Sequence, residues 1–174
     1  MKRDNIVITI LIIIVLHSCN INVEQESAIN NIKNLESKLY SDSSKSVKPS
    51  TANELILDYA KFAYKYPKDT NSAEFLFRAA ELSRALSMGH QSILYYDKIT
   101  YTFPKYRKVA YCFFLEGFVY ENIMNDILNA KKYYKLFITK YPTHPLAKDA
   151  KILIENLGKS PEELIKSFEK KETN

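Results

Sequence analysis

Glycine, cysteine and histidine are scarce in this chain of 174 residues, and each scarcity excludes a class of site. The three glycines fall at turns or packing positions, so no glycine-rich loop is available to cradle a phosphate. Only Cys112 follows residue 19, which excludes a structural disulfide within the body of the chain. His90 and His144 stand alone, without the spacing of metal ligands, so no metal site is predicted.

Acidic residues are scattered along the chain rather than paired in a pattern that indicates acid–base catalysis. No arrangement of Ser, His and Asp indicates a nucleophilic site, so the chain is predicted not to be an enzyme. A peptidoglycan-acting enzyme or enzyme subunit stays an alternative that no residue supports. The scattered acidic residues are Glu54, Glu81, Glu116, Glu121 and Glu155.

The composition favours an all-α protein with an ordinary solvated surface. Hydrophobic residues make up 46% of the chain, and the net charge of +5 comes from lysines interleaved with acidic residues. A nucleic-acid footprint would cluster on one element, so no nucleic-acid partner is predicted. Most of the thirteen tyrosines fall on the packing positions of a repeat, which favours a core role over base stacking.

Residues 1–18 have the layout of a secretory signal peptide. Lys2 and Arg3 precede an apolar run from Ile6 to Leu16. As a helix this run rises about 16 Å, which is too short for a bilayer core of about 30 Å.

The apolar run ends in Leu16-His17-Ser18-Cys19, which resembles the lipobox of bacterial lipoproteins. The resemblance implies cleavage before Cys19 and lipidation of Cys19, with palmitate among the acyl chains. Two or more acyl chains would anchor the protein stably in a membrane. Asn20 implies transfer to the outer membrane by the sorting rule of one large bacterial group, with the body facing the periplasm. Two alternatives stay open: an uncleaved anchor in the inner membrane, and a soluble periplasmic protein without lipidation.

Residues 19–50 are predicted to be a tether between the lipid and a folded body. Apolar residues at three- and four-residue steps predict one helix with a narrow stripe. The stripe consists of Ile29, Ile32, Leu35 and Leu39. The serine-rich segment SDSSKSVKPS, residues 41–50, predicts a flexible linker.

Residues 51–171 are predicted to be a helical repeat domain with a C-terminal capping helix. The residue before a proline is disfavoured in a helix, so aromatic-proline pairs predict helix ends. These pairs are Tyr66-Pro67, Phe103-Pro104 and Tyr141-Pro142. Thr51 with Glu54, and Ser160 with Glu163, are predicted to form capping boxes at helix starts.

Equivalent residues recur at intervals of 37 or 38 in the three helices that end in these pairs. They are Leu55, Ser92 and Ala130; Tyr59, Tyr96 and Tyr134; and Phe62, Ile99 and Phe137. The intervening helices repeat through Ala73, Ala110 and Ala147, and through Ala80, Gly117 and Ile154. One helical pair has too little apolar surface to bury alone, so neighbouring pairs are expected to stack.

This spacing resembles the tetratricopeptide repeat (TPR), with Leu76 and Phe113 at the family's bulky position and Ala80 and Gly117 at its small position. The lipobox and the segment AKKYYKLFITKYP, residues 130–142, are similar to lipoproteins of the BamD (outer-membrane assembly) and YbgF (Tol-Pal coordinator) type. The resemblance implies antiparallel helical hairpins stacked as a short right-handed TPR-like solenoid. The first helix of each pair is then expected to line a concave groove.

Carrying the family's register over to this chain predicts a partner-binding groove whose aromatic residues are flanked by charges. Its residues are Glu74, Phe77, Glu81, Arg84, Tyr111, Phe114, Phe118, Glu121, Lys148, Lys151 and Glu155. Such a surface suits an extended peptide or a helix of a protein partner. The alternative is that Phe77, Phe114 and Phe118 are core residues and the charges are merely solvated.

The resemblance therefore implies a membrane-anchored scaffold that binds protein partners, in envelope or outer-membrane protein assembly. No cofactor and no small-molecule substrate are predicted.

Overall fold

A computed structural model of the chain describes residues 23–40 and 49–172. Within these two ranges the chain forms helices and connecting loops without any strand, so the all-α prediction is confirmed. The predicted signal peptide, the predicted lipidation site Cys19 and most of the serine-rich linker lie outside the described residues.

Three helices of the described residues end at the predicted aromatic-proline pairs. The helices are α1 (residues 23–40), α2 (Pro49–Lys65), α3 (Ser72–Ala85), α4 (Gly89–Thr102), α5 (Val109–Asn122), α6 (Ile127–Lys140), α7 (Ala147–Asn156) and α8 (Pro161–Glu172). Each of α2, α4 and α6 ends directly before an aromatic-proline pair, because the proline disfavours a helical conformation of the residue that precedes it.

One of the two predicted capping boxes is present. At the start of α8, the Ser160 N–H donates to Glu163 Oε2 at 2.8 Å, and the Glu163 N–H donates to Ser160 Oγ at 3.2 Å. The box predicted at Thr51 is wrong, because α2 already includes Pro49 and Thr51 lies inside its first turn. A proline suits the first turn of a helix, where its missing N–H would have no partner within the helix.

The chain divides into two compact units, Met1–Phe75 (unit 1) and Leu76–Asn174 (unit 2), and α3 carries the boundary between them. In unit 1, α1 and α2 lie antiparallel. Lys65 Nζ lies 2.6 Å from Glu24 Oε2, and Asn31 Nδ2 donates to Asp58 Oδ2 at 2.6 Å.

The helix predicted in the tether is therefore part of the packed body of unit 1. Its buried side chains are Ile32, Leu35 and Leu39, which belong to the predicted apolar stripe. Leu55, Ile56 and Tyr59 are buried on α2. Because α2 offers an apolar face to pack against, the stripe of α1 leaves water.

In unit 2, the main contacts join helices that are neighbours in sequence: α4 with α5, α5 with α6, and α6 with α7. Gly117 of α5 faces Tyr134 of α6, and a Cβ added at Gly117 would lie 2.6 Å from the tyrosine ring. Glycine is thus required for the close approach of these two helices. Phe113 and Phe137 complete the core at this point.

The sequence repeat corresponds to a repeat of buried positions. All nine aligned residues of α2, α4 and α6 are at most 1% exposed. Ala73, Ala110 and Ala147, at the starts of α3, α5 and α7, are buried as well. Residues that coincide in the sequence alignment therefore occupy equivalent environments within their own units.

The turns after α2, α4 and α6 also repeat. The backbone N–H groups of Tyr66, Phe103 and Tyr141 each donate to the carbonyl four residues earlier, at 2.8 Å in all three cases. The carbonyls of the same residues accept from the N–H three residues later, at 3.0, 2.9 and 3.1 Å. The aromatic-proline pair thus specifies one local turn, used three times.

Candidate partner-binding groove

The residues predicted to line the groove differ in exposure. Those on α3 and most of those on α5 are half-buried, whereas Tyr111 is 43% exposed. Lys148, Lys151 and Glu155 are exposed on α7. Glu74 belongs to unit 1, and the other ten residues belong to unit 2.

Phe77 is held by an aromatic and basic environment inside unit 2. Its ring centroid lies 6.2 Å from that of Tyr96 and 6.2 Å from that of Tyr106. Lys108 Nζ lies 4.3 Å from the Phe77 centroid, a distance at which a cation is attracted by the ring face. Phe77 therefore packs against Tyr96, Tyr106 and Lys108 within unit 2 and is also partly exposed.

The predicted groove residues of α3 and α5 meet at Arg84. Its Nη2 lies 2.9 Å from Glu81 Oε2, and its guanidinium carbon lies 5.6 Å from the ring centroid of Phe118. The hydrogen bonds that Arg84 donates to Glu81 raise the pKa of Arg84, which keeps the guanidinium charged. An aromatic ring, a cation and a carboxylate are thus gathered at one half-buried place.

Two further predicted groove residues contact the core of unit 2. Phe114 lies 5.6 Å from both Tyr134 and Phe137, measured between ring centroids. Tyr111 makes an edge contact with His144 at 5.2 Å. Phe114 accordingly matches the core alternative more closely than Tyr111 does.

A tyrosine hydroxyl that donates to a glutamate recurs at one repeat position, and the sequence reasoning missed it. The pairs are Tyr59–Glu36 at 2.6 Å, Tyr96–Glu81, and Tyr134–Glu121 at 2.7 Å. Burial first, and the glutamate second, raise the pKa of Tyr96 and of Tyr134, so both hydroxyls remain donors. Glu81 and Glu121, predicted for the groove, therefore satisfy core tyrosines.

Glu116 of α5 is a fully buried acid that the sequence showed only as one of many scattered carboxylates. Its side chain is 0% exposed, and neither carboxyl oxygen has a donor within hydrogen-bonding distance. Burial first, and the neighbouring Asp97 carboxylate second, raise the pKa of Glu116 to about 10. The group is therefore a neutral acid near pH 7.

Cys112 lies one helical turn before Glu116 and is 0% exposed. Burial raises the pKa of its thiol, and the Sγ donates to the Lys108 carbonyl at 3.4 Å. A protonated, buried thiol is unreactive. Cys112 is thus a small core residue.

The ranges 23–40 and 49–172 contain no group of three or more His, Cys, Asp or Glu side chains able to hold a metal ion. Within the same ranges, no helix has both the length and the apolar character needed to span a bilayer. Neither a protein-family model, nor a curated protein, nor a solved structure matches the chain.

Proposed function

We propose that this chain is a membrane-anchored lipoprotein that binds protein partners through stacked TPR-like helical hairpins. The observation that carries the proposal is the gathering of Glu81, Arg84 and Phe118 at one half-buried place of unit 2. A guanidinium held over an aromatic ring and paired with a carboxylate offers charge and flat apolar area together. Both are features of interface hot spots.

The repeated, equivalently buried tyrosine positions support the stacked-hairpin part of the proposal. Hairpins that bury the same residues in each unit suit a repeat architecture, and such architectures bind partners along an extended surface. The work would be non-covalent recruitment in envelope or outer-membrane protein assembly. In this scheme the lipid fixes position, while the hairpins supply the surface.

Site-specific photo-crosslinking tests the groove. We expect a photoreactive phenylalanine analogue at Tyr111 or Phe118 to give discrete protein adducts in intact cells, whereas the same analogue at exposed Lys159 should not. Charge reversal of exposed Lys148 and Lys151 to Glu should weaken those adducts without altering the fold. Equal adducts at Tyr111, Phe118 and Lys159 would contradict a partner-binding groove.

Labelling with radioactive palmitate tests the anchor. We expect incorporation in the wild-type chain and none in Cys19→Ala. Label that persists in Cys19→Ala would exclude lipidation at this residue. A chain that takes no label but stays in the inner-membrane or soluble fraction would support the alternative of an unlipidated adaptor.

A further inference from the structure

α6 is the one described helix whose lysines are not accompanied by acidic residues. α6 contains Lys131, Lys132, Lys135 and Lys140 and no acidic residue. Each of the other described helices has at least as many acidic as basic residues. Among these helices, α6 alone therefore has more basic than acidic residues.

These lysines share one face of α6 with an exposed leucine. This basic face consists of Leu128, Lys131, Lys132, Lys135 and Thr139, which lie on one side of the helix and are all exposed. The opposite face carries Ala130, Tyr134 and Phe137, which are 0% exposed. The helix is thus anchored in the core on one side and presents lysines, a leucine and a threonine on the other, with no acidic residue.

The neighbouring face of α4 extends this surface with apolar side chains. Leu94 is 56% exposed and Tyr101 is 89% exposed, while Leu128 of the basic face is 83% exposed. The Tyr133 hydroxyl of α6 donates to Asp97 Oδ1 of α4 at 3.4 Å, so the two helices touch at this point. Asp97 is the acidic residue of this α4 face.

We propose that the basic face of α6, together with Leu94 and Tyr101 of α4, docks on an anionic lipid surface. Lysines lying near anionic headgroups attract them, and their methylene stems tolerate partial burial. Tyrosine and leucine are the side chains that enter the boundary between headgroups and acyl chains. A lipid surface matches protruding apolar side chains surrounded by one sign of charge, since it needs no complementary pocket.

The docking proposal rests on the membrane anchoring proposed above, which keeps the basic face at high local concentration beside the lipid. A weak electrostatic attraction is then sufficient to orient the body. Each lysine near an anionic surface contributes about fivefold to the ratio of docked to undocked protein, and three lysines contribute on the order of a hundredfold.

The absence of tryptophan from the chain makes a direct test possible. Leu128→Trp places a single tryptophan on the basic face, and Ile152→Trp places one on exposed α7 as the matched control. The full chain isolated from membranes is mixed with vesicles of phosphatidylglycerol and phosphatidylcholine, or of phosphatidylcholine alone. We expect a blue shift and quenching by brominated acyl chains only for Leu128→Trp, and only with the anionic vesicles.

Replacing Lys131, Lys132 and Lys135 by Gln in the Leu128→Trp chain should abolish the shift, as should high salt. Circular dichroism should stay unchanged, because all three lysines are exposed. Any of three results overturns the proposal: no shift at residue 128, the same shift with neutral vesicles, or a shift caused by a soluble acidic peptide but not by vesicles. Failure of lipidation is seen separately, since palmitate labelling does not depend on this face.

Discussion

Glu116→Gln is expected to stabilise unit 2 at neutral and alkaline pH. Glu116 is fully buried beside Asp97, and its pKa is raised from 4.5 to about 10 in the folded chain, chiefly by burial. Between these two values the unfolded chain releases a proton that the folded chain keeps. The stability that this group provides is therefore complete below pH 4.5 and is lost as the pH rises towards 10.

The size of the effect follows from proton linkage. One group contributes a slope of about 1.4 kcal/mol per pH unit within this window, so the free energy of unfolding should fall by about 4 kcal/mol from pH 5 to pH 8. Glutamine has the shape of a neutral glutamic acid and does not titrate. At pH 7, Glu116→Gln should thus be the more stable protein by about 3 kcal/mol.

Urea unfolding at pH 5, 7 and 8, followed by circular dichroism, measures this difference. Hydrogen exchange of the α5 amides reports the same free energy within unit 2 itself. Asp149→Asn, at an exposed position on α7, is the control and should leave the pH dependence unchanged. If the curves of wild type and Glu116→Gln run parallel from pH 5 to pH 8, Glu116 is not a buried neutral acid and the reasoning fails.

Three smaller substitutions test the packing and the caps. Gly117→Ala should destabilise unit 2 by about 1–3 kcal/mol, because the new Cβ would meet the Tyr134 ring at 2.6 Å. Gly89→Ala should lower the stability less in the same thermal melts, because its new Cβ meets a flexible methionine side chain. Tyr134→Phe should cost about 1–3 kcal/mol in urea unfolding, since Glu121 loses its donor, and an unchanged midpoint would contradict this. Ser160→Ala should lower the helicity of α8 and cost about 0.5–2 kcal/mol, with Ser160→Asp as the rescuing variant.

The ends of α2, α4 and α6 and the start of α8 could be predicted because they depend on residues close together in the sequence. The aromatic-proline pairs and the box of Ser160 with Glu163 act through local sterics and local hydrogen bonds. The start of α2 was misjudged because Pro49 suits either a linker or a first helical turn, and sequence alone does not distinguish these uses.

The side of α5 that faces outwards could not be predicted. Its sequence VAYCFFLEGFVYEN is apolar around most of the helix, so periodicity does not separate a groove face from a core face. Only packing decides that Phe114 contacts Tyr134 while Tyr111 stays 43% exposed. The same packing buries Glu116, which sequence reasoning had treated as a solvated acid.

The amino-acid sequence by itself determined three properties: the chain is helical, α2, α4 and α6 end at their aromatic-proline pairs, and the aligned residues of these helices recur in the core. These properties depend on local conformation and on periodic apolar side chains. Only the tertiary structure decided the partners of the three repeated tyrosines. Their glutamates lie at different distances along the chain, on α1, α3 and α5, so no fixed spacing marks them. The tertiary structure also decided that α1 packs on α2. A stripe of apolar residues leaves water wherever a matching face is within reach, and that face is defined only once the helices have assembled.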